Sequence, residues 1–276
     1  MINYIKKFIF KVLLKNAGKT KFQNFYTGLY NISMLGMNYG AGSNIEDSGE
    51  LNVLNQLKLK FSGRIDLVFF DIGANIGNYS LQLNSIFGND YKIHSFEPSI
   101  KTFEILKKNV SEKSHICIYP FGMSDIKVDE LTLYSNNSDS GLSSLYKRNI
   151  DHKNIKLDNS EKISLSTIDL FCNERKIEKI NLLKIDVEGH ELSVLIGAQN
   201  LIKQKKIEFI QFEFGGSNID SKVFFRDIFY FLEKDYIIYR ILKDGLFEIK
   251  TYEEKLEIFV TTNYLCEIKD KNVFLK

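Results

Sequence analysis

The stretch LVFFDIGANIGNYS, Leu67 to Ser80, constrains the fold more than any other part of the chain. Four apolar residues end on an acid, Asp71, and are followed by a turn holding Gly73 and Gly77 and then by a helical pattern. An apolar strand that breaks into a glycine turn and a helix opens an α/β sheet whose ligand sits beyond the carboxyl ends of its strands. Glycines at such a turn permit positive φ and let a ligand approach the backbone. Asn75 stands where a third glycine is common, and asparagine enters the left-handed region more readily than most residues. The turn alone names no ligand, because many strand-to-helix turns need glycine for steric reasons.

The same pattern recurs downstream. KIHSFE (92–97) reads as a second strand and is followed, after Pro98, by the helix SIKTFEILKKNV; HICIYPFG (115–122) reads as a third strand. INLLKIDV (180–187) and KIEFIQFEF (206–214) read as a fourth and a fifth, each leading into a helix, and Thr167 is placed to cap a short helix ahead of the fourth. Strands apolar on both faces and alternating with helices predict a doubly wound, mostly parallel sheet. The C-terminal part differs: YIIYRIL, Asp244-Gly245, LFEIK and LEIFVTTNYL predict an antiparallel hairpin at one edge. Residues 134–162 are polar and read as a loop or hairpin insertion. With no internal repeat and no proline- or serine-rich linker, the expectation is one catalytic domain over 65–276 behind a helical N-terminal extension, 1–64.

Two acids sharpen the ligand. Glu97 ends the second strand, 26 positions after Asp71. An acid there commonly hydrogen-bonds ribose hydroxyls, in dinucleotides and in S-adenosylmethionine alike. Asp71 discriminates, since a carboxylate repels a pyrophosphate but suits the ammonium and sulfonium of S-adenosylmethionine. The turn also lacks the glycine at position 75 that G-x-G-x-x-G requires. Ser124-Asp125, after the third strand, is either a simple turn or a contact to an adenine ring.

Taken in order, DIGANIGNYS, SFEP, GMSD, GLSSL and LLKIDVEGHELSVLIGA resemble the FkbM-type methyltransferase family, over about residues 65–235. The resemblance implies the class I, Rossmann-like methyltransferase fold, S-adenosylmethionine as cofactor, and O-methylation of hydroxyls on glycans or secondary metabolites. It implies further that Asp71, Gly73, Asn75 and Gly77 surround the methionine portion, Glu97 the ribose, and Ser124 and Asp125 the adenine.

Methyl transfer to oxygen needs an acceptor held in line with the sulfonium and often a base for the hydroxyl proton. Asp186, at the tip of the fourth strand and next to strand one in the usual order of that fold, faces the methyl as base, substrate anchor or metal ligand. His190 is a candidate base because its ordinary pKa lies near neutrality, or else it donates a hydrogen bond to a substrate or a carboxylate. Glu188 and Glu191 stand at a helix start, where acids complement the dipole. Glu213, at the tip of the fifth strand, is expected beside Asp186, either binding substrate hydroxyls, the preferred reading, or sharing a hard cation such as Mg²⁺.

Rival readings are an NAD-dependent sugar oxidoreductase or epimerase, a nucleic-acid methyltransferase, and a non-catalytic partner that keeps the fold. Asp71 and the lack of a suitable Tyr-x-x-x-Lys pair argue against the first. A net charge of only +2 and the lack of Asn-Pro-Pro-Tyr argue against nucleic acid. The expectation is therefore an O-methyltransferase acting on a sugar of a surface glycan or a related metabolite. Cys117, Cys172 and Cys266 form no C-x-x-C pair, which fits a reduced, cytoplasmic chain.

The first residues, MINYIKKFIFKVLLKNAG, put Ile2, Ile5, Ile9 and Val12 on one helical face and Lys7, Lys11 and Lys15 at four-residue spacing. The lysines and the lack of a small-residue cleavage site speak against a signal peptide. Such a helix packs on its own domain or on a second subunit, the commoner case, or lies weakly on a membrane surface. The glycine-containing segment 37–50 is a candidate lid.

Overall fold

The structure, a computed structural model, describes residues 10–11, 13–41, 48–136 and 141–269. Most of the helix expected at the N-terminus, including Ile2, Ile5, Lys7, Ile9 and Val12, lies outside the described residues, as does the middle of the candidate lid, 42–47. Helices α1 (Gln23–Gly36) and α2 (Glu50–Lys60) precede the first strand, β1 (Leu67–Ile72). Then follow α3 (Asn78–Phe87), β2 (Tyr91–Phe96), α4 (Ile100–Asn109), β3 (Ile116–Tyr119), β4 (Gly122–Met123), β5 (Val128–Ser135) and β6 (Asn159–Ser166). The second half contributes α5 (Ile168–Arg175), β7 (Ile180–Ile185), α6 (Glu191–Ile196), α7 (Gln199–Lys203), β8 (Ile207–Phe214), α8 (Ser217–Ser221) and α9 (Phe225–Leu232). Strands β9 (Tyr236–Leu242), β10 (Gly245–Ile249) and β11 (Thr262–Ile268) close the chain.

Eight strands form one sheet in the order β10-β9-β11-β8-β7-β1-β2-β3. Strands β1, β2, β3, β7 and β8 pair in parallel, so the expected doubly wound sheet is present. Neighbouring residues on each central strand divide between two cores. Phe70, Leu183 and Ile210 enter one, whereas Phe69, Leu182 and Phe209 enter the other with Val53, Leu54 and Leu57 of α2. That division is why these strands read as continuous apolar runs. The winding reverses between β1 and β7, and their carboxyl ends open the crevice where sheets of this kind bind ligands.

The antiparallel part departs from expectation. Strand β11 does not lie at the edge; it inserts between β8 and β9 and runs antiparallel to both. The edge itself is the β9–β10 hairpin, in which Gly245 already pairs with Leu242. The turn is thus Lys243–Asp244, one residue earlier than the Asp-Gly signal indicates. The polar insertion is a hairpin, as one of its two readings had it: β5 pairs antiparallel with β6, and β4 joins them in a second sheet, β4-β6-β5. Thr167 caps α5, its hydroxyl accepting the Leu170 N–H at 3.1 Å.

Candidate active site

A cavity of about 410 Å³ opens at the β1/β7 crevice, within the range of small-molecule sites. One wall is the turn after β1, the opposite wall the β5–β6 hairpin. Gly73 has φ +83°, and a Cβ there would stand 1.8 Å from the Asp186 carbonyl oxygen, so only glycine lets the two strand tips meet. The Asp186 N–H donates to the Ile72 carbonyl at 2.9 Å across that contact. Asn75 takes φ +47°, the left-handed conformation its type tolerates, and lines the cavity. Gly77 lies outside the cavity wall. At φ +94° a Cβ there would meet Leu106 at 2.7 Å, so this glycine serves the packing of α3 on α4 rather than a ligand.

Glu97 faces the cavity from the end of β2. Its Oε2 accepts the Asn75 N–H and its Oε1 the Ser99 N–H, both at 2.9 Å. Burial raises its pKa to about 7 against the pull of those two donors. A carboxylate offers about four lone-pair positions, so each oxygen keeps one for a hydroxyl of a ligand.

Asp71 does not reach the cavity. On β1 it shares the parity of Phe69, which puts it on the face that α3 covers. There the Ser80 hydroxyl donates to it at 2.6 Å and also meets the Ser95 hydroxyl at 2.7 Å. Burial pushes this carboxyl up to about 6, opposed by Ser80 and by the charge of Lys184. Its expected contact with the methionine portion is therefore replaced by support of the turn from beneath. Ser124 and Asp125 also lie outside the wall; Gly122 and Met123, just before them, line it.

At the tip of β7, Asp186 faces the cavity with its side chain 38% exposed. Behind it lies Lys184, buried, with its ammonium 3.5 Å from Asp186, 3.2 Å from Glu50 and 3.4 Å from the Asn263 amide oxygen. Burial disfavours the charge, but Glu50, Asp186 and Glu213 together hold its pKa above the ordinary lysine value. Glu213 is half-buried and stands outside the cavity wall, close enough for its charge to interact with Asp186. Burial and then Asp186 hold its carboxyl well above the usual range, while Lys184 opposes them. Among the described residues no three His, Cys, Asp or Glu side chains converge as metal ligands. The site's acids converge on a lysine instead.

His190 lines the cavity, but both of its ring nitrogens are occupied. Nε2 lies 2.9 Å from the Ser124 hydroxyl and Nδ1 3.0 Å from the Tyr146 hydroxyl. Ser124 donates its only hydrogen to Asp125 at 2.8 Å, so Nε2 carries the proton and Tyr146 donates to Nδ1. Burial lowers the imidazole pKa to about 4, with Asp125 pulling the other way. A neutral ring whose basic nitrogen already accepts a hydrogen bond is a fastening, and this corrects its expected role as base. What it fastens is the insertion. Nearby, Ser144 donates to the Glu188 carbonyl at 2.8 Å, and Arg148 meets the Glu188 carboxylate at 2.5 Å. Burial and then Asp186 raise the Glu188 pKa to about 7, while Arg148 lowers it.

The depressed pKa of His190 sets a pH signature. Its contribution to stability is complete above about 6.5 and is lost as pH falls towards 4. Denaturant titrations across that window should show a loss of unfolding free energy that is smaller in His190→Gln. Equal slopes in the two proteins would show that the ring is not held neutral.

Of the residues expected at the site, the structure gathers Gly73, Asn75, Glu97, Asp186 and His190 around one cavity. Asp71 and Gly77 support the turn, Ser124 and Asp125 hold His190, and Glu213 backs Asp186. Residues without a sequence expectation are Glu50, Tyr146, Arg148 and Lys184. Of these, Lys184 carried a signal: a lysine inside a strand buried on both faces demands an anionic partner.

Comparison with known proteins adds relatives. Hexuronic acid methyltransferase AglP of Haloferax volcanii is 28% identical over 156 residues, 54% of this chain and 57% of that protein. AMB antimetabolite synthetase AmbE of Pseudomonas aeruginosa is 28% identical over 162 residues, 48% of this chain and 8% of that protein. A crystal structure of an FkbM methyltransferase from Methylobacillus flagellatus is 17% identical, covering 74% of this chain and 45% of that one, with a TM-score of 0.42. A superposition that loose supports no argument about the site. Residues 71–238, which hold the turn, the strand tips and the insertion alike, match the methyltransferase FkbM domain, and the chain belongs to that family.

Proposed function

We propose that the protein is an S-adenosylmethionine-dependent O-methyltransferase whose acceptor is a sugar hydroxyl. The observation that carries this reading is Glu97, held by two backbone N–H groups at the crevice with lone pairs left for a pair of ribose hydroxyls. The rest of the cavity fits the same cofactor. Met123 and Leu165 offer apolar walls for a purine, and Gly73 and Asn75 bring the backbone close enough to hold the amino-acid end. When bound, S-adenosylmethionine supplies a methyl group on a sulfonium.

With His190 fastened, Asp186 is a cavity carboxylate able to orient the acceptor hydroxyl and take its proton, with the Lys184 ammonium 3.5 Å away helping to hold it in position. Ser135, Asn136, Ser143, Asn159 and Ser160 line the side formed by the insertion, a wall suited to a polyhydroxylated acceptor. The naming of AglP as a hexuronic acid methyltransferase supports a sugar in that place.

Calorimetry with S-adenosylmethionine and NAD tests the cofactor, and methyl transfer to a panel of sugars and uronates tests the acceptor. Wild type should bind the first cofactor and not the second. Asp186→Asn should bind it within about threefold of wild type while kcat falls by roughly 10²–10⁴, the usual contribution of a positioned base. Binding of NAD in its place would overturn the reading.

A further inference from the structure

Helix α1 leaves most of its large apolar side chains in solvent, Tyr30 among them at 59% exposure. Its only buried side chain is Met34. Phe25 and Ile32 fall roughly 160–180° around the helix from Met34 at 3.6 residues per turn. They are 50% and 69% exposed, and Leu35 beside them is 71% exposed. Just before the helix, Phe10 and Leu14 are 66% and 60% exposed. An amphipathic helix that belongs to its own domain does the reverse.

The charge pattern indicates what covers this face. Lys6, Lys7, Lys11, Lys15, Lys19 and Lys21 are the only charged side chains before Glu46. The whole chain carries a net charge of only +2, so the remainder is net negative and the positive excess is concentrated in this segment. Among the described residues, Lys11, Lys15, Lys19 and Lys21 are all exposed. Helix α1 itself has no charged residue. A second copy is a poor occupant, because a two-fold interface sets a patch against itself and would bring lysines against lysines with no acid among them. An anionic surface takes both features at once.

We infer that α1 and the described residues before it that carry Lys11, Lys15, Lys19 and Lys21 form a docking surface for an anionic lipid bilayer, the apolar residues entering the headgroup boundary and the lysines meeting lipid phosphates. Among the described residues no helix is long and apolar enough to cross a membrane, so the contact is with one leaflet. The helix is fixed to the body at its carboxyl end. Asn38 donates to the Ser48 and Ile241 carbonyls, both at 3.1 Å, Gly40 donates to the Thr261 carbonyl at 3.1 Å, and Arg240 bonds the Tyr39 hydroxyl. Ile241 lies next to the end of β9 and Thr261 precedes β11, whose first residue, Thr262, pairs with Phe214 at the carboxyl end of β8, the end of the sheet that carries the cavity. Docking would therefore bring that end of the sheet towards the membrane.

Co-sedimentation of the full chain with phosphatidylcholine vesicles, with and without phosphatidylglycerol, tests this. Binding is expected only with the anionic lipid and should fall as salt is raised. Reversal of Lys11, Lys15, Lys19 and Lys21 to glutamate should cut it by more than about tenfold. Phe25→Ser, Ile32→Ser and Leu35→Ser together should also weaken it, with thermal unfolding unchanged because all three are exposed. No sedimentation with either vesicle, or equal binding to both, overturns the inference. So does a dimer, measured by light scattering, that the serine variant dissociates while vesicle binding is absent.

Discussion

Replacing Glu97 with alanine should lower the affinity for S-adenosylmethionine by roughly 10²–10⁴, the loss expected for two hydrogen bonds to a charged group at about 1.5–3 kcal/mol each. The substitution also removes the acceptor for the Asn75 N–H, which helps hold that residue at φ +47°. Glu97→Gln keeps the volume but turns an amide NH₂ towards one of the two backbone donors, so an intermediate loss of about 10–100-fold is expected. Titration gives a second, independent signature. Cofactor hydroxyls donate to the ionised form, and burial raises this carboxyl to about 7. Affinity should therefore climb with pH up to about 7, by at most roughly tenfold per unit, and level off above it. Stability of the free protein runs the other way. A carboxyl whose folded pKa is raised contributes fully below its ordinary 4.5, and that contribution is lost as pH rises through 7. Calorimetry and denaturant titration between pH 5 and 8 should thus give opposite slopes. Affinity that does not change over that window would remove Glu97 from the ribose position.

What the sequence made legible follows from which contacts are local. The parallel strands announce themselves because Phe69 and Phe70, or Leu182 and Leu183, serve opposite cores and leave unbroken apolar runs. Asn75 and Glu97 are legible because a left-handed turn position and an acid at a strand tip are local features. The order of strands is not local. LEIFVTTNYL shows an apolar strand, but its place between β8 and β9 rests on pairings such as Tyr264 with Phe212, 52 positions away. Asp71 is a different case, since its shared parity with Phe69 was available and already pointed it at the α3 face. For His190, nearness to neutral pKa argued for a base, whereas its partner Tyr146 lies 44 residues upstream in a polar insertion with no periodicity to reveal it. Lys184 advertises the need for an anion, but Glu50 is 134 positions distant and nothing in the intervening sequence connects them.

Lys184→Met should be the most destabilising single substitution at the site. Exchanging a whole buried ion pair for apolar residues is often nearly neutral, but removing one partner leaves an uncompensated charge and costs about 3–5 kcal/mol. Here the lysine faces Glu50 at 3.2 Å and Asp186 at 3.5 Å, and it stands over the Tyr79 ring at 5.6 Å. Among the described residues Glu50 would keep the Gln211 amide and the Ser48 hydroxyl as side-chain donors, neither of them charged. Glu213, already held above the usual range with Lys184 opposing, would rise further. The melting temperature should fall by roughly 6–20 °C, at about 2–4 °C per kcal/mol for a chain of this size. Glu50→Met should cost less, because Lys184 would retain Asp186 and the Asn263 amide oxygen. The double variant should be less unstable than the sum of the two, with a coupling of about 0.5–3 kcal/mol. That coupling separates an ion network from simple packing: strictly additive losses would mean that the lysine only fills space beneath the site. A coupling of the expected size would mean that Glu50, at the start of α2, sets the charge behind Asp186. Losing Glu50 would then disable the site even with every cavity-lining residue in place.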